Sequence, residues 1–241
     1  MSSIDTQEIE NFSKDAEQWW DENGPFKPLH RLNPVRMRYI KSQICRHYGR
    51  DVESLRPFEG LSFLDVGCGG GLVCEPLARM GGTVSGADAD AVAIETAKRH
   101  AQTSGLKIAY LNKPAEAIEQ KFDVVMALEI IEHVTSPETF VQNVANLVKP
   151  GGIVIFSTLN RNPKSFLMGI VTAEYLLRWV PRETHSWKKF LRPSELVKMV
   201  EKAGLEACNL TGLVFNPFKN EFELSESDLD VNYLMSTQKA V

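Results

Sequence analysis

The sequence holds little that would point to a secreted, membrane-spanning or nucleic-acid-binding protein. It has only four cysteines, at 45, 68, 74 and 208. None forms a C-x-x-C pair, and no Cys/His spacing matches a structural zinc site, so reduced thiols in a cytosol-like compartment are expected. No apolar run approaches the ~20 residues needed to cross a bilayer. The opening MSSIDTQEIENF is polar and acidic, unlike a signal or transit peptide. Net charge is −4, whereas a nucleic-acid binder carries basic excess, so no nucleic-acid partner is expected. Repeats and low-complexity segments are also lacking. What remains is 241 residues, 43% of them hydrophobic, enough for one globular domain with a sizeable core.

Local patterns divide the chain. Residues 4–22 read as a helix ending in the Trp19–Trp20 pair. NGPFKPLHRLNP then breaks the pattern, and a second helix is expected from Pro34 to Tyr48. SFLDV (62–66) is a short apolar strand entering GCGGG (67–71), followed by a helix from Leu72 to Met80. TVSGAD (83–88), KIAYL (107–111), FDVVMAL (122–128) and PGGIVIFSTL (150–159) continue as strands. Helices at 91–104 and 136–148 lie between them, the first capped by Asp90 and Gly105. Strands alternating with helices imply βαβ units and a mostly parallel sheet with helices on both faces. EACNLTGLVF (206–215) and DVNYLMSTQ (230–238) lack room for a helical crossover and are expected to close the sheet edge as an antiparallel hairpin.

The turn from Asp65 through Gly67 and Gly69 to Leu72 joins a strand to a helix. Glycine there lets backbone N–H groups approach a ligand, and the helix N-terminus favours polar or anionic groups. The spacing is G-x-G-x-G rather than the full dinucleotide fingerprint, so the motif alone is weak and also fits a bare tight turn. Asp88, ending the second strand, can accept from both hydroxyls of a ribose; the alternative is a helix N-cap, a role that Asp90 fits better. Leu128 ends the fourth strand, on the edge where open α/β sheets bind ligands, although a core position fits equally.

Glu129, Glu132 and His133 would share one face of a helix. Three roles are open: a divalent cation site (Mg, Mn or Zn), His133 alone as general base, or acids favoured at a helix start. Residues 161–189 place FLMGIV and YLLRWV among Arg161, Lys164, Arg178, Arg182, Lys188 and Lys189. That is the composition of an interfacial helix, or of a lid in a soluble enzyme. Arg36 could clamp a carboxylate with its planar fork, or be a surface charge. Trp19, Trp20 and Phe26 read as packing residues of a cap, with His30 and His185 as further pocket candidates.

Together, LDVGCGGG, the Asp88 strand end, EIIEHV (129–134), LVKPGG (147–152), STLNRNPKS (157–165), AEYLLRWVP (173–181), THSWKKF (184–190), DVNYLMSTQ and WWDENGPFKPLHRLNPVR (19–36) resemble the ubiquinone-biosynthesis O-methyltransferases. The glycine motif is generic to class I methyltransferases; the flanking blocks are specific, and the resemblance spans nearly the whole chain. It implies a Rossmann-like fold and methyl transfer from S-adenosyl-L-methionine to polyprenylated phenol or catechol intermediates, a demethylubiquinol and a polyprenyl-hydroxyphenol. It implies cofactor contacts at Arg36, Gly67, Asp88 and Leu128, with Asp65 and Gly69 in the same turn. His133 and Glu129 are then the candidate catalytic pair. The expected layout is a single methyltransferase domain over 1–241: a helical cap (1–50), a cofactor core (61–160), an amphipathic insert (161–189) and a C-terminal helix and hairpin (190–241). The expected location is the cytoplasm, peripheral at the inner face of the membrane through the insert, beside other enzymes of the pathway. Methylation of another small phenol or carboxylate, or nucleotide binding without methylation, are the competing functions.

Overall fold

A computed structural model describes residues 13–166 and 187–241 of the chain. The sheet has eight strands: β1 (Ser62–Val66), β2 (Thr83–Asp88), β3 (Ala109–Asn112), β4 (Phe122–Leu128), β5 (Val148–Leu159), β6 (Leu205–Asn216), β7 (Glu221–Ser225) and β8 (Asn232–Lys239). Their order is β3-β2-β1-β4-β5-β8-β6-β7. The first five pair in parallel, and β8 joins both β5 and β6 antiparallel.

Successive apolar residues explain why the sheet is covered on both sides. Phe63, Val124, Met126, Ile155 and Leu234 point into one core with α1 (Lys27–Tyr48), α2 (Cys74–Arg79) and α3 (Ala91–Thr103). Their neighbours Leu64, Val125, Phe156, Tyr233 and Met235 point into the other, with α4 (Pro137–Leu147) and α5 (Pro193–Lys202). Runs such as VVMAL are apolar throughout because each residue has a helix over it. Asp90 caps α3 as expected, accepting from Val92 N at 2.8 Å.

Four expectations change. α1 begins at Lys27 rather than Pro34: Pro28 suits the first turn, and Pro34 is carried inside the helix. Pro34 forfeits one ladder bond, yet the buried face of Leu32, Val35, Tyr39, Ile40 and Ile44 holds the segment helical. The helix after the glycine turn is shorter than Leu72 to Met80. The last two strands do pair, with Leu213 opposite Asn232, but β8 lies inside the sheet and the edge is β7. Of the proposed helix at 4–22, the described part holds a 3₁₀ turn at Ala16–Gln18; residues 4–12 lie outside the described residues.

Candidate active site

The strands β1, β2 and β4 end side by side, and the loops that follow them build one site. Gly67 opens the turn after β1 with φ +74°, and a Cβ there would come within 2.9 Å of Ile130 Cγ1. Gly69 follows at φ +50°, with its N–H donating to Asp88 Oδ2 at 2.8 Å. An L side chain is disfavoured in that left-handed region, and a Cβ on Gly69 would also run into the Trp19 indole. Asp88 Oδ1 accepts from Asp90 N at 2.9 Å. The carboxylate predicted to meet a ribose thus also braces the glycine turn. Burial pushes its pKa up, and the N–H groups of Asp90 and Gly69 counter this.

Beneath the turn, Asp65 is buried, and burial raises its pKa to about 7 against the opposing pull of Arg36. The Cys74 thiol donates to Asp65 Oδ2 at 3.5 Å. Arg36 is 4% exposed, which excludes the surface-charge reading. Its Nη2 donates to Asn33 Oδ1 at 3.1 Å, while Asn33 itself holds the carbonyl of Leu72 at 2.8 Å. Burial pulls the Arg36 pKa down, and the charges of Glu129 and Asp65 pull it back up. Its Nε is buried with no hydrogen-bond partner. α1 therefore delivers a cation to the glycine turn with donor capacity unused.

Leu128 ends β4 and is buried, and Glu129 N then donates to Ser157 O at 3.0 Å. Glu129 has φ +53°, rare for a residue with a side chain and a mark of a constrained position. Its Oε1 accepts from Ser157 Oγ at 2.6 Å, and the Asn232 amide bridges both oxygens.

The shared helix face of Glu129, Glu132 and His133 does not form. The chain takes a left-handed step at Glu129 and then a 3₁₀ turn over Ile131–His133. Glu132 points inward, 2% exposed, accepting from Thr158 Oγ1 at 2.8 Å. Among the described residues no three His, Cys, Asp or Glu side chains are gathered to hold a metal ion. The trio as placed does not fit Mg, Mn or Zn. His133 sits half-buried at the end of the turn. Asn33, Ser157 and Asn232 were not anticipated. Ser157 was within reach, as a polar residue closing an apolar strand on the ligand edge; Asn232 carried no such signal.

The aromatic residues expected to form a cap pack on one another and against the glycine turn. Trp19 stacks on Phe26 with centroids 3.9 Å apart, and His30 Nε2 meets the carbonyl of Trp19 at 2.8 Å. Trp20 Nε1 donates to Gly70 O at 2.9 Å. His185, Arg178 and Arg182 lie outside the described residues. No helix among the described residues is long and apolar enough to cross a membrane.

A strand–glycine turn–helix, an acid ending β2, a buried arginine with open donor capacity and an antiparallel finish to the sheet define a class I S-adenosylmethionine-dependent methyltransferase. Residues 38–210 match the family model described as a methyltransferase domain. The chain belongs to the family of ubiquinone biosynthesis O-methyltransferases. It is 50% identical over 238 residues to the protein of that name from Dinoroseobacter shibae, covering 98% of this chain and 96% of that one. It is 47% identical to the one from Brucella ovis, over 99% and 97%. Among solved structures, a methyltransferase from Thermotoga maritima described as a possible histamine N-methyltransferase shares the fold, with TM-score 0.64, 19% identity, and 97% and 98% coverage. So does the magnesium protoporphyrin IX methyltransferase of Synechocystis, solved with bound S-adenosylhomocysteine, at TM-score 0.59, 16% identity, and 86% and 85% coverage.

Proposed function

We propose that the chain methylates a phenolic hydroxyl on a polyprenylated phenol or catechol, with Arg36, Asp65, Gly67, Gly69, Asp88 and Leu128 framing the cofactor and Glu129 and His133 facing the acceptor. The carrying observation is Glu129, held in a strained backbone at the ligand edge by Ser157 and Asn232, in the field of Arg36. A side chain fixed by two donors, in three hydrogen bonds, and by the field of a buried cation is an orienting carboxylate. The acceptor class follows the name of the relatives.

Each residue has a definite task. Arg36 offers a planar fork to the carboxylate of the cofactor's amino-acid end. Asp88, with lone pairs left beyond Gly69 N and Asp90 N, accepts from ribose hydroxyls. Bound S-adenosylmethionine supplies an electrophilic methyl group on a sulfonium. Glu129 orients the acceptor hydroxyl, which favours in-line approach. A phenol titrates near pH ~10, so a base must take its proton at neutral pH, and His133 is assigned that role. The chain then works as one catalytic unit, with the segment before α1 as its cap.

The test is transfer from methyl-labelled cofactor to a prenylated catechol and to a short water-soluble one. The expected result is labelling of both, with a much lower KM for the prenylated acceptor. Labelling of neither, by protein that binds S-adenosylhomocysteine, would assign a different acceptor.

A lipid acceptor needs access to a membrane, and residues 161–189 are proposed to dock there; positions 167–186 lie outside the described residues. At the near end, Arg161 pairs with Glu195, and Lys164 pairs with Asp228 and Asp230, both at 3.0 Å. These two flanking cations are committed within the protein. Docking to anionic vesicles should therefore respond to charge reversal at Arg178 and Arg182 more than at Arg161. Absence of vesicle binding at low salt would remove the docking role.

A further inference from the structure

We propose that Trp19 is a cofactor-contact residue: its indole is a wall of the site above the glycine turn, and its N–H donates to an oxygen of the bound cofactor. The inference rests on reading that turn as the cofactor site.

Position comes first. A Cβ added to Gly69 would meet Trp19 Cη2 at 2.6 Å and Cε2 at 2.9 Å, and one on Gly70 would meet Cδ2 at 3.0 Å. The indole therefore lies against two residues of the turn. It is fixed from several sides. Phe26 stacks beneath it, and His30 holds its carbonyl. The next residue, Trp20, is pinned to Gly70 O and stacked on His100 with centroids 3.4 Å apart. His100 Nδ1 in turn meets Glu75 Oε1, on the helix that leaves the turn, at 2.6 Å.

The two neighbouring indoles differ in one respect. Trp20 Nε1 has the Gly70 carbonyl as its partner. Trp19 Nε1 is buried with none. An indole nitrogen only donates, and buried donors in native proteins nearly always have an acceptor. Trp19 and Arg36 both hold an unpartnered buried N–H on elements packed over the same turn. Ligand oxygens satisfy such donors, and the cofactor presents two kinds, a carboxylate and ribose hydroxyls.

Calorimetry on Trp19→Phe decides the matter: the change keeps one aromatic ring on Phe26 and the glycines and removes the N–H together with the second ring, a loss of ring that Trp20→Phe shares. The dissociation constant for S-adenosylhomocysteine should rise about tenfold, as loss of one buried hydrogen bond to a polar or charged oxygen implies. Repeating the measurement with methylthioadenosine, which lacks the amino-acid end, separates the two oxygens. A persisting loss assigns the ribose, and a vanishing loss assigns the carboxylate. Trp20→Phe is the comparison, since its N–H is satisfied inside the protein; it should lower the melting temperature more and the affinity less. A Trp19→Phe protein that binds within twofold of wild type, or that loses only melting temperature, overturns the proposal. Failure of wild type to bind S-adenosylhomocysteine would instead overturn the assignment of the turn.

Discussion

Asn232 donates its amide to both carboxylate oxygens of Glu129, at 3.2 and 3.3 Å, joining the first residue of β8 to the loop that leaves β4. With the Ser157 hydroxyl on the same carboxylate, Glu129 is held in one orientation, as its proposed role toward the acceptor requires. Replacing it by Gln turns one acceptor oxygen into an NH2 group that faces donors. Glu129→Gln should lower kcat by about 10²–10⁴, the range for losing a positioned acid–base or orienting group. Affinity for S-adenosylhomocysteine should change little. Initial rates beside calorimetry check this, and a variant within fivefold of wild type would take Glu129 out of the acceptor site.

Arg36 supplies the complementary case, a buried cation answering the buried Asp65 and the half-buried Glu129. Arg36→Lys keeps the charge and loses the planar fork, so cofactor affinity should fall while the fold survives. Arg36→Met leaves Asp65 and Glu129 without their cation and should destabilise the protein by about 3–5 kcal/mol. Thermal melts with and without S-adenosylhomocysteine separate the effects. For Arg36→Lys the ligand-free melt should stay near wild type while the ligand-induced rise shrinks.

The sheet, its covering helices and the placing of Gly67, Gly69, Asp88 and Leu128 were legible because they follow from local rules. Apolar runs between glycine turns make buried parallel strands, and an acid ending a strand stands at the ligand edge. The metal trio failed because spacing was converted to a helix face, whereas backbone strain at Glu129 sent its side chain toward Ser157. No local pattern announces a positive φ at glutamate. Asn232 was hidden for another reason: it stands 103 residues from Glu129 and reaches it only because β8 inserts between β5 and β6. β7 was missed although E-F-E-L-S alternates with period two after the N-P-F-K-N turn.

Tyr110 places its hydroxyl against Gly71 of the glycine turn. It is buried with no hydrogen-bond partner, and its pKa is pushed far up by burial. Tyr110→Phe removes that polar atom and leaves the ring packed against the core. The expected gain is about 1 kcal/mol or slightly more, the desolvation cost of an unsatisfied group. Differential scanning calorimetry should show a melting temperature raised by a few degrees, with cofactor affinity unchanged. A lowered melting temperature would mean that the hydroxyl has a partner in solution.

Asp65 sets a pH dependence whose sign follows from its environment. Its folded pKa stands at about 7 against an ordinary 3.8, chiefly through burial. The folded protein therefore binds the Asp65 proton more tightly than the unfolded chain does. The stabilisation this gives is complete below the ordinary value. It declines as pH rises from 3.8 toward 7 and is gone above that, where burying the charge costs at most about 4 kcal/mol. Asp65→Asn never bears that charge, and its amide oxygen still accepts from Cys74. The variant should match wild type near pH 4 and melt several degrees higher at pH 8. The difference between the two melting curves isolates Asp65 from Asp88, whose raised pKa gives a slope of the same sign in both proteins. A difference that stays constant from pH 5 to 8 would show that Asp65 is ionised throughout, held so by Arg36.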